Sequence, residues 1–194
     1  TNAASLTYTV SFNDTVYGLA PVDFALIATG TASGTVASVS AASGNSVDVT
    51  VSGITGTGTL RLDTGAAGIT DLAGNQTAAL TAGSTHTVDR DAPVITSVGF
   101  DQASVTSVNQ SAVSFTLAGA EAGATAEYSI TSSNGGTAVT DSFVVASAGQ
   151  QVTGVDVSGL NDGTLTLSLA LTDAADNVSN PAVTATVNKD ANVP

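Results

Sequence analysis

The chain has 194 residues, 16 acidic side chains against 3 basic ones, and a formal net charge of −13. So lopsided a charge excludes the basic footprint that nucleic-acid binding needs and disfavours anionic membrane surfaces. It suits a protein that meets divalent cations. With no cysteine, the chain has neither a disulfide framework nor thiol chemistry. No apolar run is long enough for a membrane helix or a signal peptide, so no membrane insertion is expected. Hydrophobic residues make up 42% and alternate with Thr and Ser, which is a folding composition rather than a disordered one.

In chain order, Leu6, Tyr8, Val10 and Phe12 alternate with Ser and Thr and predict a half-buried strand. Asn13-Asp14-Thr15 is expected to break it. Strands follow over 22–28, over 34–41 and around Val47, Val49 and Val51, and Leu60 and Leu62 mark another. Asp71-Leu72-Ala73-Gly74-Asn75 reads as a loop, and residues 85–88 close the first half. The second half repeats the plan. Val94–Val98 opens it, and Val113, Phe115 and Leu117 alternate next. Tyr128 and Ile130 follow, then Phe143, Val152, Val155 and Val157. The run Leu165, Leu167, Leu169 and Leu171 is the cleanest strand in the chain, and Val183, Ala185 and Val187 finish the sheet. No window carries a helical stripe. The expected fold class is all-β: two tandem immunoglobulin-like antiparallel sandwiches, residues 1–90 and 91–194.

The two halves meet at Val88-Asp89-Arg90-Asp91-Ala92-Pro93, and a related pattern returns as Val187-Asn188-Lys189-Asp190-Ala191-Asn192-Val193-Pro194. Pairing these runs end to end sets Asn188 opposite Asp89. Two carboxylates two residues apart on an extended linker are hard oxygen ligands, and Ca²⁺ is the cation they suit. In such a sandwich the chain enters at one end, and the loops after the second, fourth and sixth strands lie there too. Asp89, Asp91, Glu121 and Asp173, with Asn177, are therefore the expected junction site. Asp14, Asp71 and Asn75 form a weaker analogous set in the first domain. For any one of these Asp residues, a turn-former that bonds its own backbone is the competing role. Asp23, Asp48, Asp63, Asp101, Glu127, Asp141, Asp156 and Asp162 read as solvated.

One asymmetry remains. The first half starts at the equivalent of 111–117, without an opening strand like 94–98. Either the boundary of the segment falls there, or a sheet edge is left for a strand from another chain.

With the repeats aligned, the chain resembles the bacterial immunoglobulin-like repeats of very large secreted surface proteins, adhesins among them. The residues that carry the resemblance are Val51-Ser52-Gly53 with Gly58-Thr59-Leu60-Arg61-Leu62, the loop Asp71-x-Ala73-Gly74-Asn75, the junction Val88–Pro93, Ala120–Thr125 and Asp173-x-Ala175-x-Asn177. Asp176 departs from the pattern, standing where the loop usually has Gly. The resemblance implies tandem sandwiches, often with Ca²⁺ at the junctions. It also implies neighbouring repeats in a longer parent chain and an extracellular, cell-surface or biofilm setting. The expected role is a structural spacer stiffened by Ca²⁺. The alternative is a subunit of a self-assembling filament completed by strand exchange with another chain.

No enzyme is expected. A single histidine, His86, shares a strand face with Val88 and is expected to pack rather than react. One histidine without cysteine barely allows a nucleophilic arrangement. Aromatic residues are only 4% of the chain, too few to line a sugar cleft.

Overall fold

The computed structural model describes residues 1–64, 68–81 and 83–192. They fall into two compact units, Thr1–Asp91 and Ala92–Pro194.

The first unit runs β1 (Ser5–Tyr17), a 3-10 turn (Pro21–Asp23), β2 (Phe24–Ala28), β3 (Ser33–Val39), β4 (Ser43–Thr55), β5 (Gly58–Thr64), β6 (Thr70–Asp71) and β7 (Thr85–Val88). Its sheets have the orders β3-β4-β1-β6 and β2-β5-β7. Period-two alternation builds the core, because successive side chains of a strand point to opposite faces. Tyr8 and Val10 of β1 meet Val47, Val49 and Val51 of β4 and Leu60 and Leu62 of β5. Asn13-Asp14-Thr15 does not end β1. The strand continues to Tyr17 with a register slip against β4 between Ser11 and Val16. The short polar residues form an outward irregularity, and Val16 returns to the core at 2% exposure.

The second unit runs β8 (Ser97–Phe100), β9 (Val113–Ala118), β10 (Thr125–Ser132), β11 (Val139–Val144), β12 (Gln151–Val155), β13 (Gly163–Thr172) and β14 (Val183–Lys189). Its sheets have the orders β11-β10-β13-β14 and β12-β9-β8. Leu165, Leu167, Leu169 and Leu171 are completely buried, as the alternation of β13 requires. Phe115 sits at the centre, edge-on to Tyr128 with ring centroids 5.0 Å apart.

The sheets show which residues of the two halves correspond. Gly58 pairs with Val88 in the first unit, and Gly163 pairs with Lys189 in the second. Val88, not Arg90, is therefore the counterpart of Lys189, and Asp89 is the counterpart of Asp190. The end-to-end pairing of Asn188 with Asp89 is overturned, so the second exit linker keeps its carboxylate in register. A second pair of contacts agrees. Thr1 N–H donates to the Thr87 carbonyl, and Asp89 N–H donates to the Thr1 carbonyl. In the second unit Val105 makes the same two bonds, with Asn188 and Asp190.

Of the carboxylates read as solvated, Asp63 and Asp162 are structural instead, and Asp101 is exposed as expected while also bonding its neighbours. Asp63 is only 8% exposed and takes both Arg61 Nε and Nη2 at 2.8 Å, since residues two apart on a strand share a face. Asp101 accepts from Thr116 Oγ1 and Gln151 Nε2, tying β9 to β12. Asp162 Oδ1 accepts the Ala191 N–H at 2.9 Å and holds the exit linker.

Candidate functional site: the acidic loops and linkers

The two Asp-x-Ala-x-Asn loops have one design. Asp71 Oδ1 accepts the Asn75 N–H and Asp71 Oδ2 accepts Asn75 Nδ2, both at 2.8 Å. Asp173 takes the Asn177 N–H at 2.9 Å and Asn177 Nδ2 at 2.8 Å, and also the Ala175 N–H at 2.8 Å. In each loop the Asp N–H donates back to the Asn carbonyl. The competing role, a carboxylate that bonds its own turn, is what the geometry of both loops displays. The fourth residue of each loop is left-handed. Gly74 has φ 86°, and Asp176 adopts φ 67° in its place. Asp is among the few side chains that tolerate this region, which is why the departure from Gly leaves the loop intact.

These bonds set the charge of both carboxylates. Side-chain and backbone donation from Asn75 holds Asp71 below the usual carboxylate range. Burial pushes Asp173 up, but donation from Asn177 and Ala175 outweighs it, and the net direction is down. A depressed folded value stabilises the fold above the unfolded value of about 3.9. That contribution is lost as pH falls through the lower folded value. Asp173→Asn is thus expected to be less stable than wild type at pH 7, with the gap closing in acid. Urea unfolding between pH 2 and 7 measures it, and parallel pH profiles for the two proteins would rule the account out.

The first-domain set comes together at one end of its unit. Val16 pairs with Asp71, so Asp14, Asp71 and Asn75 line a common hollow of about 160 Å³. Asp14 Oδ1 is already engaged by the Thr15 N–H. In the second unit, pairing of Thr125 with Thr172 puts the loops holding Glu121 and Asp173 at the same end. The start of that unit lies there too, since Glu121 N–H donates to the Val94 carbonyl and Val94 N–H to Glu121 Oε2. On the linker, Asp89 Oδ1 accepts the Thr57 hydroxyl at 2.9 Å and the Asp91 N–H at 3.2 Å, and Asp91 is exposed.

An ionised carboxylate has about four acceptor positions. Asp173 uses three of them internally and Glu121 one, so these two retain room for a monodentate oxygen contact, while Asp89 is engaged by the Thr57 hydroxyl and the Asp91 N–H at least. Among the described residues, no three His, Cys, Asp or Glu side chains gather closely enough by themselves to hold a metal ion. Carboxylate oxygens are the hard donors that Ca²⁺ takes. Sequence reasoning passed over Asp162 and Asp190. The alignment of Gly58-Thr59-Leu60 with Gly163-Thr164-Leu165 would have placed Asp190 in register with Asp89.

His86 packs edge-on against Tyr8, centroids 4.9 Å apart, while the Tyr8 hydroxyl donates to the Leu60 carbonyl at 3.0 Å. Burial raises the Tyr8 pKa, and that phenol stays neutral. The imidazole is a packing group.

Each unit is a two-sheet antiparallel sandwich of the immunoglobulin-like class, and the class is present twice in tandem. No protein-family model and no curated protein matches the chain. Among solved structures it is similar to a tetra-tandem repeat in the extending region of a large adhesion protein. That similarity has 25% identity and a TM-score of 0.43, and covers 96% of this chain and 45% of that one. It is also similar to the D00–D0 domain of intimin (13% identity, 95% of this chain and 92% of that one, TM-score 0.38) and to the BSP domain of a biofilm-associated protein (17%, 97% and 28%, TM-score 0.30). The chain spans less than half the length of the first of these.

Proposed function

We propose that this chain is a structural spacer within a large extracellular bacterial adhesin, acting at the cell surface beside further repeats of its own kind. The observation that carries the reading is the repeated exit. Thr1 with Thr87 and Asp89 in one unit, and Val105 with Asn188 and Asp190 in the other, form the same bonded end. Units that end alike can be joined head to tail indefinitely, which is the logic of a repeat array. Each unit also closes its own core and spends its loop carboxylates on its own turns.

In the finer reading, Ca²⁺ at the junction draws Asp89 and Asp91 together with Glu121, Asp173 and Asn177 and stiffens the joint. Without the ion, these carboxylates repel one another. Asp14, Asp71 and Asn75 would bind more weakly, having fewer carboxylates.

Calorimetric titration of Ca²⁺ into the chelator-treated chain tests this, alongside Asp89→Ala/Asp91→Ala. Wild type is expected to bind with a dissociation constant on the order of 10⁻⁴ M, as extracellular modules do, and the double variant to lose that binding. Absence of binding in both proteins would remove Ca²⁺ from the reading and leave a plain spacer.

A further inference from the structure

The second unit closes its exit end through two turns that hold one another. Residues 133–138 join β10 to β11, and residues 156–162 join β12 to β13. Asn134 Nδ2 donates to the Asp162 carbonyl at 2.7 Å, and Asn161 Nδ2 donates to the Asn134 carbonyl at 2.7 Å. Asn161 N–H donates to the Gly135 carbonyl at 3.0 Å, and the Ser132 hydroxyl to the Asn161 carbonyl at 2.8 Å. Gly163 permits this approach, because a Cβ there would meet Asn134 Nδ2 at 2.9 Å. Asp162 passes the contact on, since its Oδ1 accepts the Ala191 N–H and holds the exit linker.

Asn134-Gly135 is the only Asn-Gly pair in the sequence. Such a pair deamidates readily, because glycine has no side chain to shield its backbone nitrogen from the neighbouring amide carbon. Asn134 is exposed, so water reaches it. In the closed turn both reacting groups are engaged. Gly135 N–H donates to the Ser132 carbonyl at 3.1 Å, and the Asn134 amide to Asp162. The reaction therefore starts from the locally opened turn. The first unit joins the equivalent turns differently. Thr29 meets Thr59 and Thr31 meets Thr57 through hydroxyls, which this chemistry leaves untouched.

We propose that Asn134 is a site of spontaneous deamidation, and that its conversion to aspartate or isoaspartate opens the contact between the two turns and frees the exit linker. The Gly135 nitrogen attacks Asn134 Cγ and forms the new C–N bond of a succinimide. The Cγ–Nδ2 bond breaks, and ammonia departs with the proton that Gly135 gives up. Water then opens the ring. Cleavage at Cγ leaves aspartate, and cleavage at the main-chain carbonyl leaves isoaspartate. Water is the only co-reactant, and nothing is oxidised or reduced.

Neither product restores the turn. An aspartate carboxylate has no proton to donate, so it faces the Asp162 carbonyl as one acceptor against another. It also adds a negative charge to a chain that already carries −13. Isoaspartate routes the main chain through the side-chain methylene, which displaces the residue 134 and Gly135 carbonyls from Asn161. With Asp162 no longer held from this side, its bond to the Ala191 N–H opens more often. The change runs one way, because the departed ammonia does not return. The inference goes beyond the spacer reading and is independent of Ca²⁺.

The test ages the full chain in mildly alkaline buffer beside a free peptide of residues 130–138. Peptide mapping by mass spectrometry locates each amide-to-acid conversion. Conversion is expected first at Asn134, as a mixture of aspartate and isoaspartate, and about tenfold or more slower than in the free peptide. Asn134→Gln, whose longer side chain closes the ring far more slowly, should keep its mass over the same period. The aged chain, separated by its added charge, and Asn134→Asp are then compared with fresh protein by hydrogen exchange. Exchange at Asn161 and Ala191 is expected to be about tenfold faster in both. The aged wild type carries this arm if Asn134→Asp does not fold. No conversion within about a hundred half-lives of the peptide, or earlier conversion at another asparagine, would overturn the site. Conversion with unchanged exchange at Ala191 would overturn the release of the linker.

Discussion

Lys189→Met is expected to lower the stability of the second unit by about 3 kcal/mol. Lys189 is 4% exposed, and its ammonium donates to the carbonyls of Leu160 at 2.5 Å, Val157 at 3.0 Å and Ser158 at 3.4 Å. It thereby closes the turn 157–160 from below. Two effects oppose each other. Burying an ammonium costs several kcal/mol in desolvation, which the variant recovers. Against this, hydrogen bonds to a charged donor contribute about 1.5–3 kcal/mol each, and a buried carbonyl that loses its partner costs about 1–3 kcal/mol. Three acceptors and one donor put the balance on the side of loss. Methionine keeps the apolar stem, so the loss reports the ammonium rather than a cavity. Urea unfolding with hydrogen exchange over 157–163 reads it. A change below about 0.5 kcal/mol would show that water replaces the ammonium without cost.

Phe115→Ala is the other large expected effect, about 4 kcal/mol on the same unit. Phe115 is fully buried at the crossing of β9 with β10, and its ring meets the edge of Tyr128. Truncation removes the transfer free energy of the ring and leaves a cavity walled by rigid strands that cannot collapse into it. The aromatic pair adds a further ~1 kcal/mol to the loss. Denaturant unfolding followed through Tyr128, with exchange in β9 and β10, measures the loss. Phe115→Leu, which keeps much of the volume, should recover over half of it. Equal losses in the two variants would argue against a cavity as the cause.

Side-chain periodicity was legible because it is local. Leu165, Leu167, Leu169 and Leu171 in alternation admit one reading, a strand buried on one face. The Asp-x-Ala-x-Asn loops were legible for the same reason, since their bonds close within five residues. The register of the exit linkers was not. Val187-Asn188-Lys189 looks like Val88-Asp89-Arg90 when read along the chain. Only cross-strand pairing with Gly58 and Gly163 shows that Lys189 stands where Val88 does. A lysine at an inward position reads as a surface residue until the three carbonyls that receive it are known. Asp63 misled in the same way, because its burial depends on neighbours distant in sequence.

By itself, the sequence determined the all-β class, the two-fold repeat, the alternating core positions and the acidic character of the chain. Each follows from composition or from a period of two residues, properties of neighbours along the chain. The tertiary structure alone decided that Asp190 is the partner in register of Asp89, and that a buried ammonium does in one unit what a valine does in the other. Those facts belong to strand pairing, which brings together residues tens of positions apart. One residue of slip in that pairing exchanges the inside of a sheet for its outside.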